Sequence, residues 1–388
     1  MTDCRVFDRC AWALRAVGIV MLALAVFPPC HPLAAQRVID LTQRPLGVIH
    51  ESFTSIAGVR ALPNGRAVVT DQADQRLLLV NFADGSATPI GRQGEGPAEY
   101  RFPLAPLPGP LNTTYVVDAS LQRMLLVSTA GAIVSTVSLS RAGLPVGANP
   151  HGSDRSGRVY FEQDSFDPDR GTFSDSVSIL RWNPHDSRID RIGRVWSGGR
   201  VIVNRPTGKA SLARSITPYP ALDAWAVYPN GDIAIVHHQP FRLDVVSATG
   251  VVRHGSPRSY PPLPVTAADR SAYRKQMSFV RSGASLKGGG TGPQRSEDVV
   301  PDAEFPLSMP PFVASSVAMS PDGQLWIGRS HPAGEHLWYY DIFDARGAVV
   351  AVAKIAAGSK VVGFGPGVVY VARTDPADDL VYLERYER

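Results

Sequence analysis

Cysteine is missing from all but the start of the chain: Cys4, Cys10 and Cys30 are the only three. Past that leading stretch neither a disulfide nor a thiolate metal site can brace the fold. Lysine is almost as scarce, contributing only positions 209, 275, 287, 354 and 360 to the 39 basic residues. The arginines are scattered, so the net charge of +4 forms no basic stripe and nucleic acid is not expected as a partner. Catalytic signatures are absent too. There is no Gly-x-Ser-x-Gly elbow, no His-Glu-x-x-His and no P-loop. Gly94-x-Gly96 lacks the third glycine and the strand-to-helix setting of a dinucleotide site. Long apolar runs are also missing after residue 35, which excludes a transmembrane anchor there.

What is present begins with a leader. Arg5, Arg9 and Arg15 surround and precede an uncharged apolar run, Ala16–Phe27, and Leu33-Ala34-Ala35 offers a small-residue cleavage site. This predicts a signal peptide over residues 1–35, cleaved near Ala35, and an exported product, periplasmic or extracellular.

The remainder is rich in turn formers, with 35 glycines and 33 prolines in the whole chain. One short unit recurs, seen most plainly in Asn64-Gly-Arg-Ala-Val-Val-Thr-Asp71. A turn residue is followed by an apolar strand, and a polar residue falls six positions later. The pattern returns at Asn112→Asp118, Gly157→Gln163, Gly231→His237, Gly323→Arg329 and Gly367→Arg373. Asn-Gly and Asp-Gly before β-branched residues are the chemistry of a tight turn entering a buried strand. The turns recur at about 45 residues, the length of a four-stranded propeller blade, with two longer gaps before positions 231 and 323. Six units account for residues 36–388 as one all-β domain, a six-bladed β-propeller. The last unit shows only three strands, so Val38–Leu41 is expected to supply its fourth and close the ring.

Two stretches carry a family likeness. Asp71-Gln-Ala-Asp-Gln-Arg76 and Asp118-Ala-Ser-Leu-Gln-Arg123 share an Asp, four residues and an Arg before an apolar strand. With the turn ahead of them they resemble NHL-type repeats of TolB-like six-bladed propellers. The segment Gly91-Arg-Gln-Gly-Glu-Gly-Pro-Ala-Glu-Tyr-Arg-Phe-Pro103 resembles a connector of exported bacterial members. That resemblance implies a fold, since such propellers include both binding scaffolds and enzymes. Four units depart from it, with Gln163, His237, Arg329 and Arg373 in place of the Asp.

The two long gaps hold inserts. Asp164–Asp175 has carboxylates at calcium-like intervals but misses the glycine and terminal Glu of the twelve-residue loop, and is expected to be a solvated hairpin tip. An insert at 266–305 opens with Thr266-Ala-Ala-Asp269, a capping box with Asp for Glu, continues as a helix over Arg270–Val280, and then becomes a glycine-rich flexible loop over Ser282–Thr291.

The polar residues at the strand ends are the candidate site. Asp71 and Asp118 are expected to be structural, holding the following turn and pairing with Arg76 and Arg123. His237, Arg329, Arg373 and Gln163, with Glu99 of the connector, are the ligand-binding candidates. His237 and His238 are neighbours on a strand and point to opposite faces, so no shared metal site is expected of them. Arg329 and Arg373 favour an anionic small molecule or an acidic partner segment, unless ion pairs with insert residues such as Glu297 or Glu304 take them up. The leading function is a non-catalytic binding scaffold with no cofactor. The alternative is a lactonase-like, calcium-dependent hydrolase acting at the central channel, for which Asp223 is the one carboxylate near the inner-strand starts.

Overall fold

The structure, a computed structural model, describes residues 37–388 except 146, 165, 168–171, 199–201, 205–209, 213–217 and 277–299. The signal peptide expected over 1–35 lies outside the described residues, as do the glycine-rich loop 282–291 and the end of the insert helix.

The turn chemistry of the repeat sets the strands. Asn64, Gly65, Asn112, Gly157, Gly231, Gly323 and Gly367 all have positive φ, the region that glycine and asparagine reach most cheaply. Each turn delivers the chain into a second strand: Arg66–Asp71, Thr114–Asp118, Val159–Gln163, Ile233–His238, Leu325–Arg329 and Val368–Thr374. Each of these pairs antiparallel with an inner strand before it and a third strand after it. The result is a β-propeller whose described strands fall into six four-stranded units, with inner strands beginning at Ile56, Leu107, Asn149, Ala224, Phe312 and Ser359.

The second strands are buried on both faces, and alternate side chains face the two neighbouring units. In Thr114–Asp118, Val116 packs with Val68, Leu77 and Leu125 toward the first unit, whereas Tyr115 and Val117 pack with Val159, Phe161 and Trp182 toward the third. Every adjacent pair of units encloses a buried cluster of this kind. The pair formed by the sixth and first is included, through Tyr370, Ala372 and Leu383 against Val59, Ala67 and Val69. The inner strands of those two units are also hydrogen-bonded in parallel at Val59↔Gly363 and Arg60↔Phe364.

Closure departs from the sequence expectation. The fourth strand of the last unit is Gly47–Val48, antiparallel to Val381–Glu387, and Leu46 and Ile49 donate to Arg385 and Leu383 at 2.7 and 3.0 Å. Arg37–Asp40 instead adds in parallel to Val349–Ala356, the outer strand of the fifth unit. The chain reaches the last unit on its way to the first inner strand, so the segment just before that strand makes the closing pair. The turn at Thr42–Leu46 carries the earlier residues past it. Ile39 and Leu41 fill the cluster between units five and six, and Asp40 pairs with Lys354 at 2.8 Å.

In the insert, the capping box forms as expected. Thr266 N and Oγ1 donate to Asp269 Oδ2 at 2.7 and 2.6 Å, Asp269 N donates to Thr266 Oγ1, and residues 267–276 are helical. Val265, Val300, Phe305 and Met309 give the insert its own small core. The stretch 164–175 contains a two-stranded hairpin, Phe166–Asp167 with Thr172–Phe173.

Two truncations separate the N-terminal strands. A chain beginning at Thr42 loses the burial of Ile39 and Leu41, about 3–6 kcal/mol, and should still melt in one cooperative step. A chain beginning at Ser52 also loses the closing strand and should show no cooperative transition. Equal melting of the two proteins would contradict this closure.

Candidate functional site

Because second strands run antiparallel to inner strands, all six end where the inner strands begin. The same face receives the connections between units, including residues 90–106 and the described parts of the connections that follow Trp196 and Arg253. The residues at the second-strand ends therefore share a face. They do not converge on the axis, because one strand separates them from it. The axial cavity is lined by inner-strand residues instead, and none of Asp71, Asp118, Gln163, His237, Arg329 or Arg373 lines it.

Asp71 and Asp118 pin the incoming connectors. Asp71, fully buried, accepts from Thr54 N and Ser55 N at 3.0 Å each and from Arg76 at 3.2 Å. Asp118, equally buried, accepts from Arg101 N and Phe102 N at 2.9 and 3.1 Å and from Ser120 N and Leu121 N. Among the described residues it has no arginine partner. Arg123 bonds instead to the carbonyls of Glu95, Gly96 and Glu99 at 3.2, 2.9 and 2.8 Å, tying down the glycine-rich connector. Glu99 belongs to the same loop, accepting from Gly96 N and Arg92 Nε at 2.8 and 2.7 Å, so its carboxylate is already engaged. Backbone and arginine bonds together hold its pKa below the ordinary value.

The two strand-end arginines are engaged as well. Arg329 grips Asp341 with two bonds of 3.0 and 2.6 Å. Arg373 bonds Glu384 at 2.8 Å and Asp375 at 3.2 Å. Among the described residues neither bonds to the insert; Glu297 lies outside them. Their partners come from the adjacent hairpin. Arg373 stands opposite Tyr382, and Gly328 opposite Tyr340, which puts Glu384 and Asp341 at the diagonal positions. This pairing removes the physical basis for an anion grip at Arg329 and Arg373. Gln163 ends its strand opposite Ser178 and has no polar partner among the described residues.

The fourth unit carries a network that sequence reasoning missed. Asp223, on the connector, meets His237 Nδ1 at 2.8 Å and His238 Nδ1 at 2.7 Å, and also accepts from His238 N. Neighbouring histidines thus share one carboxylate. It sits beyond the end of the inner strand, where it spans the strand edge and the face rule no longer separates its two partners. His237 Nε2 reaches Asp244 Oδ2 at 3.1 Å, and His254 and Arg242 bond the same Asp244. Both carboxylates are acceptors, so each ring nitrogen of His237 faces a group to which it can donate, an arrangement that favours the imidazolium. The Asp223 bond, opposed by burial, raises its pKa. Burial opposes the charge of Asp223 and Asp244, yet the donors around them prevail. Asp223 is held well below the carboxylate range and Asp244 at about 2. The signal for this network was the triplet Asp223, His237-His238 and Asp244, readable only with the register in hand.

These donor sets do not suit a divalent cation. Every oxygen of Asp71, Asp118, Asp223 and Asp244 already accepts from an N–H. Among the described residues, no group of three or more His, Cys, Asp or Glu side chains is arranged to hold a metal.

The raised pKa of His237 sets a pH dependence. Its contribution is complete below about pH 6.5 and is lost as pH rises through the higher folded value. The stability advantage of the wild type over His237→Gln should be on the order of 2 kcal/mol near pH 6 and shrink toward pH 9. Melting curves across that range check it, and a constant gap would contradict it.

No family model and no curated protein matches the chain. Solved structures similar to it include a protein of Bacteroides fragilis described as exported, 11% identical over 91% of this chain and 100% of that one, with a TM-score of 0.47. A gluconolactonase from Xanthomonas campestris is 12% identical over 88% of each chain, with a TM-score of 0.45. A calcium-binding protein, regucalcin, from Agrobacterium tumefaciens is 14% identical over 91% of this chain and 97% of that one, with a TM-score of 0.41. Likeness at this level says nothing of activity.

Proposed function

We propose that this chain is an exported, six-bladed propeller of the NHL-repeat and TolB-like kind that binds a ligand or partner segment without transforming it. The observation that carries the reading is the commitment of the strand-end carboxylates, arginines and histidine to internal bonds. The carboxylates and arginines of that face hold connectors and hairpins together, which is scaffold chemistry. Both ring nitrogens of His237 are turned to carboxylates of the protein, which leaves neither aimed at a nucleophile. What the face offers a partner is shape: connectors of different lengths and the partly exposed Trp196 beside His238, 5.0 Å between ring centroids. Export is supported by the leader sequence, and among the described residues no helix is long and apolar enough to cross a membrane.

A lactonase-like hydrolase is the competing reading, because such enzymes use this fold with a metal on the axis. It needs carboxylates that are free to bind calcium, and the residues present do not fit that need. Assaying the purified protein against a panel of sugar lactones, with and without calcium, decides between the two. The scaffold reading expects no calcium-dependent turnover and no rise in melting temperature on adding calcium. Turnover that depends on calcium would overturn it.

A further inference from the structure

Once the strand-end arginines are paired, the remaining cations stand out by position. Arg60, Arg155 and Lys360 line a cavity of about 440 Å³ on the axis, bounded by the inner strands of all six units. That volume is in the range of small-molecule sites. Among the described residues none of the three has a carboxylate partner; Arg155 donates to the carbonyl of Pro321 at 3.2 Å. Arg60 Nε is buried and has no acceptor. The one carboxylate along the wall, Asp154, is turned into its blade with 1% of its side chain exposed, held by Ser156, Arg158 and Tyr160. Burial lowers the pKa of His151 against the pull of Glu162, 3.9 Å away, and its Nε2 bonds the carbonyl of Trp225, on whose ring it stacks at 4.1 Å.

We propose that this axial cavity binds a small polyanion whose carboxylate or phosphate oxygens are received by Arg60 and Lys360. The claim rests on reading the chain as a binding protein and gives that reading a ligand class. Cations gathered around one enclosed space without a counter-charge repel each other, and an anion between them removes the repulsion. Lys360 is wetted by the cavity while ringed by protein, and that loss of bulk water lowers its pKa, a cost which a bound anion would reverse. Arg60 lies opposite Phe364 on the parallel neighbour, four residues beyond Lys360 and so about 13 Å further along the strand. Positive charge therefore stands at two levels of the cavity. This arrangement suits a molecule with several anionic groups better than a single halide.

Titration calorimetry of the purified protein with citrate and with pyrophosphate, at matched ionic strength, tests the site. Saturable binding of citrate alone assigns carboxylates, of pyrophosphate alone phosphates, and of both the shared anion chemistry. Arg60→Met and Lys360→Met should each weaken binding about tenfold. Neither breaks an ion pair, so melting temperatures should not fall. If Arg60→Met fails to fold, Lys360→Met carries the test alone, since Lys360 has no ion-pair partner among the described residues. No saturable binding of either probe to the wild type would overturn the proposal, and so would binding that Lys360→Met leaves unchanged. Calcium-dependent lactone turnover would sink the non-catalytic reading while leaving this titration standing, so the two failures are distinguishable.

Discussion

A four-stranded meander has two apolar faces and cannot bury either one by itself, and the rest of this structure depends on that constraint. Each unit hides one face against the unit before it and the other against the unit after it, with Trp182, Trp225 and Trp326 fully buried at such seams. Stacking in a line would leave two faces wet, so the chain curves until its last unit meets its first. The closing strand must then come from the chain end opposite to the three strands it joins. Gly47–Val48 fulfils this, and Ile49 beside it is wholly buried.

The same constraint explains why Asp71 and Asp118 are bonded internally. Connectors must cross from an outer strand to the next inner strand over an open end of the sheet, where backbone N–H groups have no ladder partner. Asp71 and Asp118 supply acceptors there, and Asp223 does so from the connector side for His238. A buried carboxylate that receives several N–H bonds is satisfied and unavailable for ligands. The proposed binding chemistry lies instead on the axis, in the cavity bounded by the inner strands. Inner strands there are too far apart to pair with one another, except between the last and first units.

Turns and second strands were legible in the sequence because their chemistry is local. A positive-φ residue followed by an apolar run needs no knowledge of neighbours, and all six copies stand where the spacing placed them. The Thr266–Asp269 cap was legible for the same reason. Pairings across strands were not. Arg329 with Asp341 and Arg373 with Glu384 depend on hairpin register, and Arg123 chose carbonyls over Asp118 because the connector folded back within its reach. Arg60 and Lys360 carry no motif at all. What marks them is the lack of a partner around a shared cavity, a property of the closed ring and not of any stretch of chain.

Native-state hydrogen exchange at the closing strand tests the central claim most directly, since closure should be part of one cooperative unit. The amides of Leu46, Ile49 and Phe53, bonded to Arg385, Leu383 and Val381, should exchange as slowly as that of Val68 in the first unit, through the same global opening. Exchange at Leu46, Ile49 and Phe53 through a local opening orders of magnitude more frequent, with the rest of the ring still protected, would contradict it.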